Sequence, residues 1–347
     1  MRRPSKKAVA ATLAGAPFAW LAWSRLGIDH HRPLPPAIDA ERRVFASPSA
    51  GLLSYYVDEG PRELAGERPL VLLHSINAAA SAAEMRPLFE QFRGRRRLYA
   101  PDLPGYGFSD RSDRVYTPAL FATAIAEFLA DVAAGTDGAD VIALSLTAEF
   151  AAAVALRHPS LVHSLVLISP TGLNREPNAL QRVSPERSKR IHGRLASPVW
   201  AQGLFDLLVS RPSVRFFLAE QFEGPPDPFL VSYAWTTAHQ PGARYAPFWF
   251  LSGALFTPDI RPAVYAALEQ QVLVLYDRSP NVTFDALPDL LTTRPNWTAH
   301  RIAPTRGLPH FERLGETADA IADFWDEPRF TAPRAQSPEE APRAGDR

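Results

Sequence analysis

The stretch Val141–Phe150, VIALSLTAEF, places Ser145 between an apolar run of strand character and a run of helix character. A serine at such a joint can act as a nucleophile. A tight strand-to-helix turn lifts its hydroxyl clear of the backbone, and an amide at the helix start faces the point where an oxyanion would form. Here that amide belongs to Leu146, and the helix dipole adds partial positive charge beside it. The same serine could instead cap the helix with its hydroxyl. A nucleophile needs a strained backbone and a free hydroxyl, whereas a cap needs neither. Glycine two residues to either side would ease the close approach of strand and helix, but this chain has Ala143 and Thr147 there. Alanine adds one methyl, and Thr147 is followed by small Ala148, so a strained turn is expected at Ser145.

The elements that would hold this turn follow from hydrophobic periodicity. Apolar runs of strand length occur at 54–57, 70–73, 97–100, 140–144, 165–168, 272–276 and 298–302. Several are apolar without alternation, as strands covered on both faces are. Helical patterns fall at 83–92, 118–134, 147–157, 262–269 and 316–325. The alternation predicts an α/β fold with a mostly parallel central sheet flanked by helices. It is interrupted once, at 172–261, where aromatic-rich helical sequence such as ARYAPFWFLSGALF replaces strand signals. This is read as an inserted helical lid between the core segments 41–171 and 262–328.

Composition narrows the function. The 347 residues hold 37 Lys plus Arg and 37 Asp plus Glu, so no charge excess points to nucleic acid. No cysteine is present, which excludes disulfides, thiolate metal sites and a cysteine nucleophile. Adjacent His30 and His31 have no further ligand nearby. Residues 1–27 combine a basic start, MRRPSKK, with an uncharged segment at 8–23. That pattern fits an export signal or membrane anchor, although sixteen residues is short of the roughly 20 a spanning helix needs. Residues 28–40 read as a proline-rich linker and 329–347 as a disordered tail.

Four further segments carry chemistry: LVLLHSINAAASA at 70–82, APDLPGYGFSD at 100–110, RHPSLVHSLVLISPTGL at 157–173 and LPHFERLGETADAIADFW at 308–325. With the Ser145 turn, their order and spacing resemble the α/β-hydrolase family over roughly residues 41–328, most of the lid aside. The strongest parts are the D-x-P-G-x-G-x-S turn at Asp102–Ser109 and the L-P-H-F-E segment at Leu308–Glu312. The resemblance implies an α/β-hydrolase fold and the chain order serine, acid, histidine. It assigns Ser145 as nucleophile and His310 as general base, with the N–H groups of Ile76 and Leu146 as oxyanion donors. His74 reads as structural. The acid is expected just after the strand VLVLYD, where this chain has Ser279-Pro280 in place of Asp-Pro. Asp277, at the strand end, is the candidate; Asp285 or no acid at all are the alternatives.

The function implied is a serine hydrolase cleaving a hydrophobic carboxylic ester or related acyl compound. The alternatives are a catalytically weak or non-catalytic binding protein on the same fold, or a serine-dependent carbon–carbon hydrolase or perhydrolase. Parts of the core also resemble haloalkane dehalogenases and epoxide hydrolases, but Ser145 stands where those enzymes carry an aspartate. No cofactor or metal is expected: the glycines of DLPGYGFSD lack a dinucleotide spacing, and there is no P-loop or H-E-x-x-H. The expected partners are a small hydrophobic substrate, no nucleic acid, and a membrane through residues 8–23, with an exported or anchored location favoured over a cytoplasmic one.

Overall fold

A computed structural model describes residues 17–326. The basic start, residues 8–16 of the apolar segment and the tail 329–347 lie outside them. Eight strands form one sheet: β1 (Glu41–Ser47), β2 (Gly51–Asp58), β3 (Leu70–Leu73), β4 (Leu98–Pro101), β5 (Ala139–Leu144), β6 (Val162–Ile168), β7 (Gln271–Tyr276) and β8 (Trp297–Arg301). Their order is β1-β2-β4-β3-β5-β6-β7-β8. The β1–β2 and β2–β4 pairs are antiparallel, and every pair from β4–β3 to β7–β8 is parallel.

The first helix covers residues 17–26 (α1). It is followed by α2 (Arg86–Phe92), α3 (Pro118–Val132) and α4 (Thr147–Arg157). The insertion between β6 and β7 is helical and holds α5 (Pro185–Leu195), α6 (Ala201–Leu208), α7 (Arg211–Ala219), α8 (Pro228–Ala238) and α9 (Tyr245–Leu251). The chain then forms α10 (Ile260–Ala263), α11 (Leu287–Thr293), α12 (Pro309–Glu312) and α13 (Leu314–Phe324).

Successive side chains of a strand point to opposite faces, and the central strands use both. Val71, Leu73, Val141 and Ala143 join the apolar cluster that holds Phe121, Phe128 and Phe150 of α3 and α4. Leu70, Leu72, Ile142 and Leu144 join the other, with Leu88 and Phe92 of α2 and Ile321 of α13. This is why β3 and β5 read as unbroken apolar runs. The sequence reading missed β1, whose residues ERRVFAS are largely exposed. It is an edge strand, where charge is tolerated and blunts pairing with other chains. The helix expected at 262–269 is instead short α10 plus a single 3₁₀ turn at Tyr265–Ala267. Val264, at φ −129°, ψ −61°, leaves helical geometry between them.

Residues 28–40 are not a free linker along their whole length. Ala37 and Ile38 are buried, and the Ala37 amide donates to the Tyr56 hydroxyl at 2.7 Å. Helix α1 rests on α6, with Trp20 Nε1 donating to the Gly203 carbonyl at 2.8 Å. The Ser24 hydroxyl donates to Asp206, a fully buried carboxylate that also meets His30 Nε2 at 3.0 Å. His30 therefore answers a buried charge. Among the described residues no group of histidines and acids could hold a metal, and no helix is long and apolar enough to cross a membrane.

Candidate functional site

Ser145 follows β5 directly, at the carboxyl end of a parallel strand, where open α/β sheets place their ligands. Its φ is +56°, a left-handed conformation that costs a non-glycine residue free energy and persists only when its surroundings enforce it. Three backbone bonds do so: the Ser145 amide donates to the Ile168 carbonyl at 2.9 Å, and its carbonyl accepts from the amides of Ala148 at 3.2 Å and Thr171 at 3.5 Å. The helix cap of α4 is Leu146, with no side-chain capping bond, so Ser145 is not serving as a cap. Thr147, standing where glycine would ease the turn, is fully buried and donates its hydroxyl to the His74 carbonyl at 2.6 Å. It thereby ties the elbow to the loop after β3.

That loop is organised by buried polar groups. The His74 ring accepts the Leu103 amide on Nε2 at 2.9 Å and meets the Ser75 carbonyl through Nδ1 at 2.6 Å, so it is structural. The Glu84 carboxylate, also buried, accepts the Ser75 amide and the Asn77 side-chain amide, each at 2.8 Å. Asp102 braces the same region from the next turn, accepting from the Ala82 amide at 2.8 Å and the Phe108 amide at 2.9 Å. Gly107, at φ +51°, leaves room for it: a Cβ there would lie 1.9 Å from Asp102 Cγ.

Above Ser145 lies a cavity of about 360 Å³. Ser145, Ile76 and Leu146 line it together, and the N–H groups of Ile76 and Leu146 make no hydrogen bond within the described residues. Free amides beside a serine are the kind of donor an oxyanion would require. The insertion supplies apolar wall, including Leu208, Phe217 and Phe250. Among the described residues no histidine, lysine or arginine lines the cavity, whereas two glutamates, Glu84 and Glu220, do. A second cleft of similar volume, lined by Arg96, Asp140, Ser164 and Trp325, sits at the other end of the sheet. Within it Arg96 pairs with Asp140 at 2.5 Å.

The sequence reading joins Ser145, His310 and Asp277 in one relay, but no hydrogen bond links the three among the described residues. His310 is fully buried in α12 and does not line the cavity. Its Nε2 donates to the Glu84 carbonyl at 2.7 Å, and its Nδ1 has no hydrogen-bond partner. Burial lowers its pKa to about 4 against the raising effect of that carbonyl. Asp277 stands at the end of β7, with both oxygens engaged elsewhere: Arg301 Nε donates to one at 2.7 Å and the Thr305 amide to the other at 2.8 Å. Burial would raise its pKa, but those two donors outweigh it and the result lies below the ordinary value. Asp285 is exposed and accepts from Arg175 and Thr283. The residues of these loops that do face the cavity are Ser279 after β7, and Gly307 and Leu308 after β8. Gly307 and Leu308, three and two residues before His310, are positions in this segment from which an imidazole could enter the cavity, and position 307 carries no side chain to displace.

The sequence reading also missed the polar wall opposite. Ser169 follows β6 as Ser145 follows β5. Its φ is +46°, its hydroxyl is buried, and that hydroxyl has no partner. Thr171 beside it donates to Glu149 of α4, whose other oxygen accepts the Thr257 amide at 2.8 Å. Complete burial raises the Glu149 pKa to about 7 despite these donors. The signal for Ser169 was present in the sequence as a serine directly after a buried parallel strand. A single buried glutamate in an alanine-rich helix carries no such signal.

The alpha/beta hydrolase family pattern matches residues 70–345. The chain belongs to the alpha/beta hydrolase family. Within it, the chain is 31% identical over 108 residues to a 2-hydroxymuconate semialdehyde hydrolase of Pseudomonas sp. (strain CF600), a match that spans 30% of this chain and 38% of that protein. Among solved structures it resembles a serine hydrolase involved in carbazole degradation, with TM-score 0.65 and 16% identity over 82% of this chain and 98% of the other. It also resembles a membrane phospholipase A described as a bacterial virulence factor, with TM-score 0.62 and 19% identity over 92% and 94%. At these identities the solved structures establish the fold alone. The strained serine turn and the free amides of this alpha/beta hydrolase are thus set in the family's frame, while the histidine and acid expected from the sequence spend their hydrogen bonds on Glu84, Arg301 and Thr305.

Proposed function

We propose that the protein binds a neutral, hydrophobic carbonyl compound, such as a carboxylic ester, in the cavity above Ser145 and hydrolyses it slowly. Ser145 is the attacking group. The amides of Ile76 and Leu146 hold the oxyanion, and no imidazole relay takes part. The observation that carries this reading is the state of His310, whose only ring hydrogen bond goes to the Glu84 carbonyl while no histidine among the described residues lines the cavity. A serine hydroxyl without a base in reach is a weak nucleophile. Hydrolases stripped of a relay member still retain roughly 10³–10⁴-fold acceleration over water from the oxyanion hole and binding alone. In a first step the Ser145 oxygen would attack the carbonyl to give a tetrahedral adduct, its proton passing through water to the departing oxygen, and the alcohol would leave as the acyl-serine forms. In a second step water would release the acid and restore the hydroxyl.

The lining argues for a neutral ligand. A muconate-type dienoate, as in the name of the semialdehyde hydrolase, carries a carboxylate. Here it would meet two glutamates and no cation, an arrangement that disfavours a buried anion. An ester therefore fits better than a carbon–carbon substrate of that class. The test is labelling of the full chain by a fluorophosphonate, alongside turnover of p-nitrophenyl esters of increasing acyl length. The expected result is slow labelling confined to Ser145, and slow ester cleavage that favours longer acyl chains and vanishes in Ser145→Ala. Labelling elsewhere, or turnover unaffected by Ser145→Ala, would overturn the reading.

A further inference from the structure

Nine of the thirteen large apolar side chains exposed among the described residues fall in just two stretches, 18–26 and 199–217. The first is α1 and the second comprises α6, α7 and their flanks. They are neighbours in space, because Trp20 and Ser24 of α1 bond to Gly203 and Asp206 of α6. Phe18, Trp23, Leu204, Leu207 and Phe216 stand out from this surface with exposures of 76%, 59%, 37%, 54% and 60%. On α6 the division is clean: Ala201, Gly203, Phe205 and Asp206 are buried, while Leu204 and Leu207, one turn apart, face out. An apolar patch of this extent marks an interaction surface rather than chance exposure.

Charge identifies the occupant. Arg25, Arg194, Arg211 and Arg215 lie in or beside the same stretches and are exposed. Asp206 is the only acid within residues 17–28 and 194–219 and is buried against Ser24 and His30, with exposed Asp29 and Glu220 at the margins of these stretches. Aromatic and leucine side chains interleaved with arginine and free of exposed carboxylate match the boundary of an anionic bilayer. In the sequence, Phe18 is preceded by uncharged residues from Ala8 and, before them, by Arg2, Arg3, Lys6 and Lys7.

We propose that α1, α6 and α7 form one face that docks on an anionic lipid surface. The helices α6 and α7 also carry Leu208, Phe217 and Leu218 of the cavity wall, so one pair of helices separates lipid from cavity. The docking does not depend on the reaction at Ser145, and its test reads no activity.

The full chain is sedimented with vesicles of phosphatidylcholine plus phosphatidylglycerol, and with phosphatidylcholine vesicles alone. The variant Leu204→Ser/Leu207→Ser/Phe216→Ser is compared with the unaltered chain. The expected result is preference for the anionic vesicles and at least a tenfold loss of partitioning in the variant. Amide exchange of residues 199–217 in the unaltered chain should slow on anionic vesicles, which gives the answer without a substitution. Equal binding by variant and unaltered chain, with exchange unchanged, would overturn the proposal by assigning binding to the leader alone. So would absence of vesicle binding together with a dimer in size-exclusion chromatography that the variant dissociates, which would assign the face to a second copy.

Discussion

Replacing Glu149 by glutamine should change how stability depends on pH, and the structure sets the size of the change. Burial raises the Glu149 pKa from 4.5 to about 7. The folded state thus holds a proton that the unfolded chain releases between those values. Its contribution is fully present below pH 4.5 and is lost as pH rises through 7. At about 1.4 kcal/mol per unit this comes to roughly 3 kcal/mol. His310 acts in the opposite sense: burial lowers its pKa from 6.5 to about 4. Its contribution is present above 6.5 and is lost as pH falls through 4. In the unaltered protein the two slopes oppose each other between pH 4.5 and 6.5. In Glu149→Gln only the His310 slope remains there. The glutamine can keep both neighbours, its oxygen facing the Thr257 amide and its nitrogen the Thr171 hydroxyl. Urea unfolding of both proteins from pH 4 to 8 reads the difference. Variant minus unaltered should lie near zero at pH 4.5, climb by about 2–3 kcal/mol and level off above pH 7. A difference that stays flat across the range would refute the assignment of a protonated buried carboxyl.

Three further outcomes follow from the site. Gly107→Ala places a methyl into Asp102 at a positive φ and should cost about 3–5 kcal/mol by breaking the Asp102 bonds to Ala82 and Phe108, measured by thermal or urea unfolding. Asp277→Asn should lower stability by about 1–2 kcal/mol by weakening its bonds to Arg301 and Thr305 but leave p-nitrophenyl ester turnover within about twofold; a much larger drop in turnover would restore Asp277 to the relay. Gly307→His, combined with Gln221→Ala because the Gln221 amide lies 2.2 Å from the new Cβ, should raise ester turnover by about 10²-fold if a base is what the cavity lacks, and no gain would count against that view.

The frame of the molecule was legible because it rests on burial. The strand at 70–73 and the helix at 147–157 occur as expected, since both are apolar on the faces that a covered sheet dictates. The strain at Ser145 was legible for a similar reason, as a strand end and a helix start can meet there only through a tight turn. The chemistry beyond Ser145 was not. Spacing placed His310 in the segment after the last strand but could not say which way its ring turns once Pro309–Glu312 forms a helix. Nor could it say that Glu84, nine residues beyond Ser75, would present its carbonyl to that ring and its carboxylate to the Ser75 amide. Asp277 was chosen because it is the acid at the strand end. Arg301, one strand over and level with Tyr276, claims it. The cavity-facing places went to Ser279 and Gly307, neither able to act as a base.

The role of His310 is tested most directly by the pH dependence of Ser145 acylation. The rate of fluorophosphonate labelling is measured from pH 5 to 9 in the unaltered protein and in His310→Gln, with folding checked by circular dichroism. Without an imidazole relay, the two proteins should label at rates within about threefold of each other and accelerate smoothly with pH, with no inflection in the histidine range. A sigmoidal limb near pH 6–7 in the unaltered protein, lost in His310→Gln together with a fall of 10²-fold or more, would show that His310 is the general base after all.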